Sequence, residues 1–153
     1  MGGALNQLKT NEMHKTKESA EEFRAKAFKL QEVMIKMSEA ITEKAEAPVQ
    51  HHFAPSIYAR EMFIPQGCTI VGKIHKHSHI NVISKGIIDV ATEHGTIRYE
   101  APITFVSEPL IKRVVHAVID TIWTTIHATE STDLKEIERE TIAESYDAIE
   151  DKT

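Results

Sequence analysis

From Ser56 to Ala128 the chain breaks into short runs rich in Ile, Val, Thr and aromatic residues. Turn-forming residues separate them: Pro65-Gln66-Gly67, Lys85-Gly86, Glu93-His94-Gly95, Ala101-Pro102, Ser107-Glu108-Pro109 and Asp120. Runs this short cannot make the helices of a bundle, and β-branched side chains favour extended backbone. The pattern predicts strands over Ser56–Ile64, Thr69–Ile74, His77–Ser84, Ile87–Thr92, Thr96–Glu100, Ile103–Val106, Arg113–Ala117 and Thr121–Ala128. Eight such strands argue for an antiparallel sandwich or barrel, with a jelly roll as the natural solution. The expected fold class is therefore mainly β, a single antiparallel jelly-roll barrel with a helix on either side.

The flanks read differently. Ala20, Phe23, Ala27, Leu30, Met34, Met37 and Ile41 recur at steps of three and four, which lines them along one stripe of a helix. Pro48 ends it, because proline disfavours helical backbone at Ala47. The stripe either packs on its own domain or pairs with another subunit; the pattern admits both. At the other end Asp133 is a helix cap, and Leu134, Ile137, Ile142, Tyr146 and Ile149 form a rough apolar face opposite a solvated acidic one. The expected divisions are 1–50 for the helical extension, 51–130 for the barrel and 131–153 for an acidic C-terminal helix.

Charge and composition narrow the function classes. The net charge is −5, and the stretch 131–153 supplies the imbalance with three basic and eight acidic residues. A protein that neutralises phosphates needs a basic stripe, and none is present, so nucleic acid is not an expected partner. No apolar run approaches the ~20 residues of a membrane span, and Met1-Gly2-Gly3-Ala4-Leu5 lacks the signature of a signal peptide. The expectation is a cytoplasmic protein, consistent with Cys68 as the single cysteine, read as a small buried side chain.

Chemistry concentrates in His75-Lys76-His77-Ser78-His79. On a continuous strand alternate side chains share a face, so the three imidazoles would point the same way. Turned inward, unsatisfied, they would be costly, and a divalent metal resolves the cost. A surface-facing cluster is the alternative. Thr121, Trp123, Thr125 and His127 likewise share a face of their strand, lining a cavity or facing out. Trp123 is either a core residue or a stacking surface. His51 and His52 read as linker residues and His94 as an exposed turn residue, whereas Lys112 and Arg113 are exposed charges or an attraction for an anionic ligand.

The stretch Gly72-Lys73-Ile74-His75-Lys76-His77-Ser78-His79-Ile80-Asn81-Val82-Ile83-Ser84-Lys85-Gly86 resembles the first sequence motif of the cupins. His77 and His79 match its HxH pair, and Gly86 matches its turn glycine. Ser107-Glu108-Pro109 followed by Val114-Val115-His116-Ala117 resembles the second motif, with His116 at the ligand position. The chain departs from the pattern in two places: no glutamate follows the HxH pair, and no glycine follows Pro109. The resemblance covers roughly residues 55–130. It implies a small jelly-roll barrel, often dimeric, that commonly holds one metal.

The resulting expectation is a histidine-lined pocket for one divalent ion (Zn, Fe, Ni or Mn, not distinguished), with His77, His79 and His116 as ligands. His75 is a fourth ligand or an acid/base group, and Asn81 a weaker replacement. Asn81, Trp123 and His127 are further pocket candidates. The pocket would act on, or bind, a small polar molecule in a homo-oligomer of dimer size or larger. The alternative is a non-catalytic assembly module, similar to cupin-like proteins with helical extensions in bacteria and bacteriophages, associating through its N-terminal helix.

Overall fold

The computed structural model describes residues 18–40 and 47–146. Within them α1 spans Ala20–Ala40, followed by β1 (Val49–Ala54), β2 (Ile57–Ile64), β3 (Thr69–Val71), β4 (Ile74–His75), β5 (His79–Lys85) and β6 (Ile87–Thr92). β7 (Gly95–Glu100), β8 (Ile103–Ser107), β9 (Val114–Ala117), β10 (Thr121–Ala128), α2 (Leu134–Thr141) and β11 (Ile142–Ala143) complete the order. Ile41 of the expected N-terminal stripe and Ile149 of the expected C-terminal face lie outside the described residues.

The strands form a five-stranded sheet in the order β1-β2-β10-β5-β8 and a four-stranded sheet in the order β3-β9-β6-β7, all antiparallel. Their inner faces meet: Ile64, Ile83 and Trp123 from the first sheet pack with Ile88, Val90, Val115 and Ala117 from the second. The alternation of the sequence predicts this arrangement. Along β5, His79, Asn81 and Ile83 are buried while Ile80 is exposed; along β10, Thr121, Trp123 and His127 are buried. The shared inner face is apolar around Ile64, Ile83 and Trp123. It turns polar toward Asn81, His79 and His127, so the strands themselves grade from core to pocket.

Gly86 makes the tight turn from β5 to β6 at φ +103, a conformation that L side chains rarely adopt. A Cβ there would also stand 2.6 Å from Thr121 Cα.

Both expected helices are present, the C-terminal one shorter than expected. α1 opens on a capping box, with Ser19 Oγ accepting from the Glu22 amide and Glu22 accepting from the Ser19 amide, both at 3.1 Å. It packs on its own domain through Ala27, which is buried, and Phe28, which meets Tyr146 edge to face. Arg24 lies over the Tyr146 ring and pairs with Glu93, while Lys112 donates to Gln31. The C-terminal helix is shorter than the apolar spacing suggests. Asp133 caps it as expected, accepting from the amides of Lys135 and Glu136, but it ends at Thr141. Ile142 and Ala143 pair instead with His75 and Ile74 of β4, a tertiary contact that overrides the helical pattern. His51 and His52, expected in a linker, lie on β1, where the antiparallel partner β2 recruits them. Cys68 is exposed rather than buried: it sits in the Pro65–Thr69 turn with its backbone folded back on Pro65.

Candidate metal centre and pocket

A cavity of about 440 Å³ opens beside the inner face, and histidines gather at its wall. β4 brings His75, the first residue of β5 brings His79 and the end of β10 brings His127. Their ring centroids lie 4.2 Å (His75 to His79), 4.8 Å (His79 to His127) and 5.1 Å (His75 to His127) apart. One ring nitrogen from each falls within 4.8 Å of the others. Zinc–imidazole bonds are ~2.0–2.1 Å, which sets two nitrogens on one ion at most ~4.2 Å apart, so a small inward shift of the rings would let the three share one ion.

The hydrogen bonds show which ring nitrogens are left without a partner. His79 Nδ1 lies 3.2 Å from the His77 carbonyl oxygen, which can only accept, so Nδ1 carries the proton. That leaves Nε2 with its lone pair, buried and with no partner in the protein. His75 Nδ1 is also buried and unpartnered. Burial is the main cause of low basicity at all three rings. It pushes His75 down to about 2 and His127 to about 4, aided by the neighbouring histidines, and it lowers His79 as well. Neutral imidazoles with orphaned nitrogens are what a divalent cation requires. The donor set fits such an ion.

The remaining candidates are placed as follows. His77 is exposed, because the strand breaks at Lys76-His77 and the alternation restarts at His79. His75 and His79 therefore converge and His77 does not. His116 is exposed as well: Val115 and Ala117 take the inner positions of β9, so His116 faces outward, with its Nδ1 2.8 Å from Thr69 Oγ1 and its backbone opposite Asp89. Of the expected set His75, His77, His79 and His116, the structure brings His75 and His79 together, with the pocket candidate His127 beside them. Asn81 is fully buried and committed: its Oδ1 accepts from Trp123 Nε1 at 2.9 Å, and its Nδ2 donates to Ser107 Oγ at 2.6 Å. Trp123 and Asn81 line the cavity as wall and floor, and His94 is exposed in its turn.

Other lining residues were not singled out from sequence. Tyr58 and Arg60 enter from β2, whose inner positions are Tyr58, Arg60, Met62 and Ile64; the alternation of that strand carries the signal. His51 joins through a 2.7 Å contact from Nδ1 to the Tyr58 hydroxyl. Ile137, Glu138 and Thr141 of α2 close one side.

No protein-family model matches the sequence, and no curated protein matches it. Solved structures do. Salicylate 1,2-dioxygenase from Pseudaminobacter salicylatoxidans superposes with a TM-score of 0.53 at 11% identity, over 73% of this chain and 34% of that one. A cupin domain from Bordetella pertussis matches with a TM-score of 0.45 at 13% identity, over 57% of this chain and 98% of that one. The fold is cupin-like. A variant of the same dioxygenase, in complex with gentisate, covers 81% of this chain at a TM-score of 0.53 and 13% identity. The cupin-like chain spans about a third of the dioxygenase's length (36% in that superposition). The likeness concerns the fold alone.

Proposed function

We propose that this cupin-like protein holds one divalent metal ion on His75, His79 and His127 and uses the adjoining cavity to bind a small polar molecule. The observation that carries the reading is that His75 Nδ1 and His79 Nε2 are buried without a partner, in a cluster where one ring nitrogen each of His75, His79 and His127 lies within 4.8 Å of the others. In the absence of a cation, burying those groups is a cost with no return. A bound ion would supply Lewis acidity and leave coordination positions open to an incoming molecule. The protein's own contributions are separate. The His77 carbonyl holds the His79 ring in one tautomer, Asn81 and Trp123 fix the floor, and the apolar walls limit water.

Protein purified without an affinity tag should contain close to one equivalent of a divalent metal by elemental analysis. His79→Ala and His127→Ala should each lower its affinity by about 100-fold or more, beyond the usual effect of a supporting residue. His77→Ala and His116→Ala should leave the metal content unchanged. Loss of metal in His116→Ala, with retention in His127→Ala, would overturn the assignment.

A second reading, an assembly module, is favoured by one observation. Leu30 of the apolar stripe and Val33 beside it on α1 are 38% and 46% exposed although the helix is docked, so apolar surface remains free for a partner. Removal of residues 1–47 should then change the oligomeric state seen by sedimentation.

A further inference from the structure

The cavity holds more positive charge than its histidines account for. Arg60 on β2 and Arg113, immediately before β9, both line it. Among the described residues the Arg60 side chain makes one hydrogen bond, to Met62 Sδ at 3.8 Å, and Arg113 makes no side-chain hydrogen bond or ion pair. Glu138 is the sole carboxylate among the lining residues, and Lys73 already neutralises it. Both line the same cavity as the candidate metal centre. Burial also pushes Arg113 below its ordinary range.

A cation taken partly out of water without a counter-charge is unfavourable. An anion entering the cavity would offset that cost. The planar fork of a guanidinium matches the two oxygens of a carboxylate. Most of the surrounding wall is apolar, with Met62, Ile70, Val115, Trp123 and Ile137 among its residues. A phosphate, strongly hydrated and with three oxygens to satisfy, suits such a wall less well than an acid with an apolar body.

We propose that the pocket takes a small organic carboxylic acid, its carboxylate held by Arg113 and Arg60 and its apolar body against the Trp123 wall. The proposal rests on the reading of this cavity as the ligand site.

The chain has a single tryptophan, Trp123, so its fluorescence reports occupancy. Benzoate, benzamide and phenyl phosphate are suitable probes, because they keep the ring and vary the head group. The expected result is that benzoate binds at least about tenfold tighter than benzamide, a difference of about 1.4 kcal/mol, and tighter than phenyl phosphate. Arg113→Gln should abolish that preference, Arg113→Lys should restore part of it, and Arg60→Gln should weaken it. Equal affinity for benzoate and benzamide would overturn the proposal, as would tighter binding of phenyl phosphate or no binding of any probe; none of these comparisons needs a variant to fold. Cobalt titration of the unaltered protein, followed by absorbance, reads the metal centre independently. Cobalt binding without benzoate preference sinks the acid pocket and keeps the histidine site. Benzoate preference without cobalt binding does the reverse.

Discussion

Trp123 and Asn81 hold one another in place. The indole N–H has the Asn81 carbonyl as its partner, and Asn81 has no exposure to water with which to replace it. Trp123→Phe would keep most of the apolar contact but leave that oxygen buried and unpaired, at a cost of about 1–3 kcal/mol. Urea melts should record this loss. Asn81→Leu together with Ser107→Ala in the same background should recover part of it, since the buried polar partners are then gone. Parity on β10 made Trp123 and His127 readable as neighbours on one face. The network joining Trp123, Asn81 and Ser107 was not readable, because Ser107 reaches the site from a different strand, 26 residues beyond Asn81 in sequence. Arg60 went unnoticed for a simpler reason: charge usually marks a surface position, whereas here strand alternation turns it inward.

Among the elements, the β6–β10 region follows the sequence closely, because Gly86, Gly95 and Pro102 punctuate it and its strands alternate cleanly. Gly86 is the sharpest test. Gly86→Ala adds a methyl group at positive φ against the Thr121 backbone, and should destabilise the protein by about 2 kcal/mol or more, lowering the thermal midpoint in a calorimetric scan. The misread elements are those whose fate depends on a distant partner. The bend at Lys76-His77 carries no glycine or proline to announce it, so a run of three alternating histidines looked like one strand face. His51 and His52 read as linker residues, and only the pairing of β1 with β2 makes them part of a strand. Ile142 fits a helical stripe and is captured by His75 instead. The histidine run pointed to two members of the cluster, His75 and His79; the third, His127, lies almost fifty positions further along.

At the level of the whole molecule, the buried histidines tie stability to pH. All three rings have lower proton affinity in the fold than the ordinary value of 6.5, with His127 near 4 and His75 near 2. As pH falls below that ordinary value the unfolded chain takes up protons first, so folding is penalised. Above it both states are neutral and no penalty exists. In the metal-free protein stability should be level above neutrality and then decline, by up to about 1.4 kcal/mol per pH unit for each histidine involved. Urea melts at pH values from about 7.5 down to about 5 would measure the slope, and His75→Phe should flatten it. Bound metal should steepen the acid loss, since protons then also expel the ion.

β4 belongs to neither large sheet; its strand partner is β11, from the last described stretch of the chain. Lys76 donates its backbone N–H to the Thr141 carbonyl, and the His75 carbonyl accepts from Leu110. His79 and His127 are therefore set by the barrel, while His75 waits on residues nearly seventy positions downstream. A chain emerging from the ribosome would have two imidazoles in position and the third uncommitted until Ala143 had left the exit tunnel. Loading of an ion on the proposed site would then come after folding of the sheets.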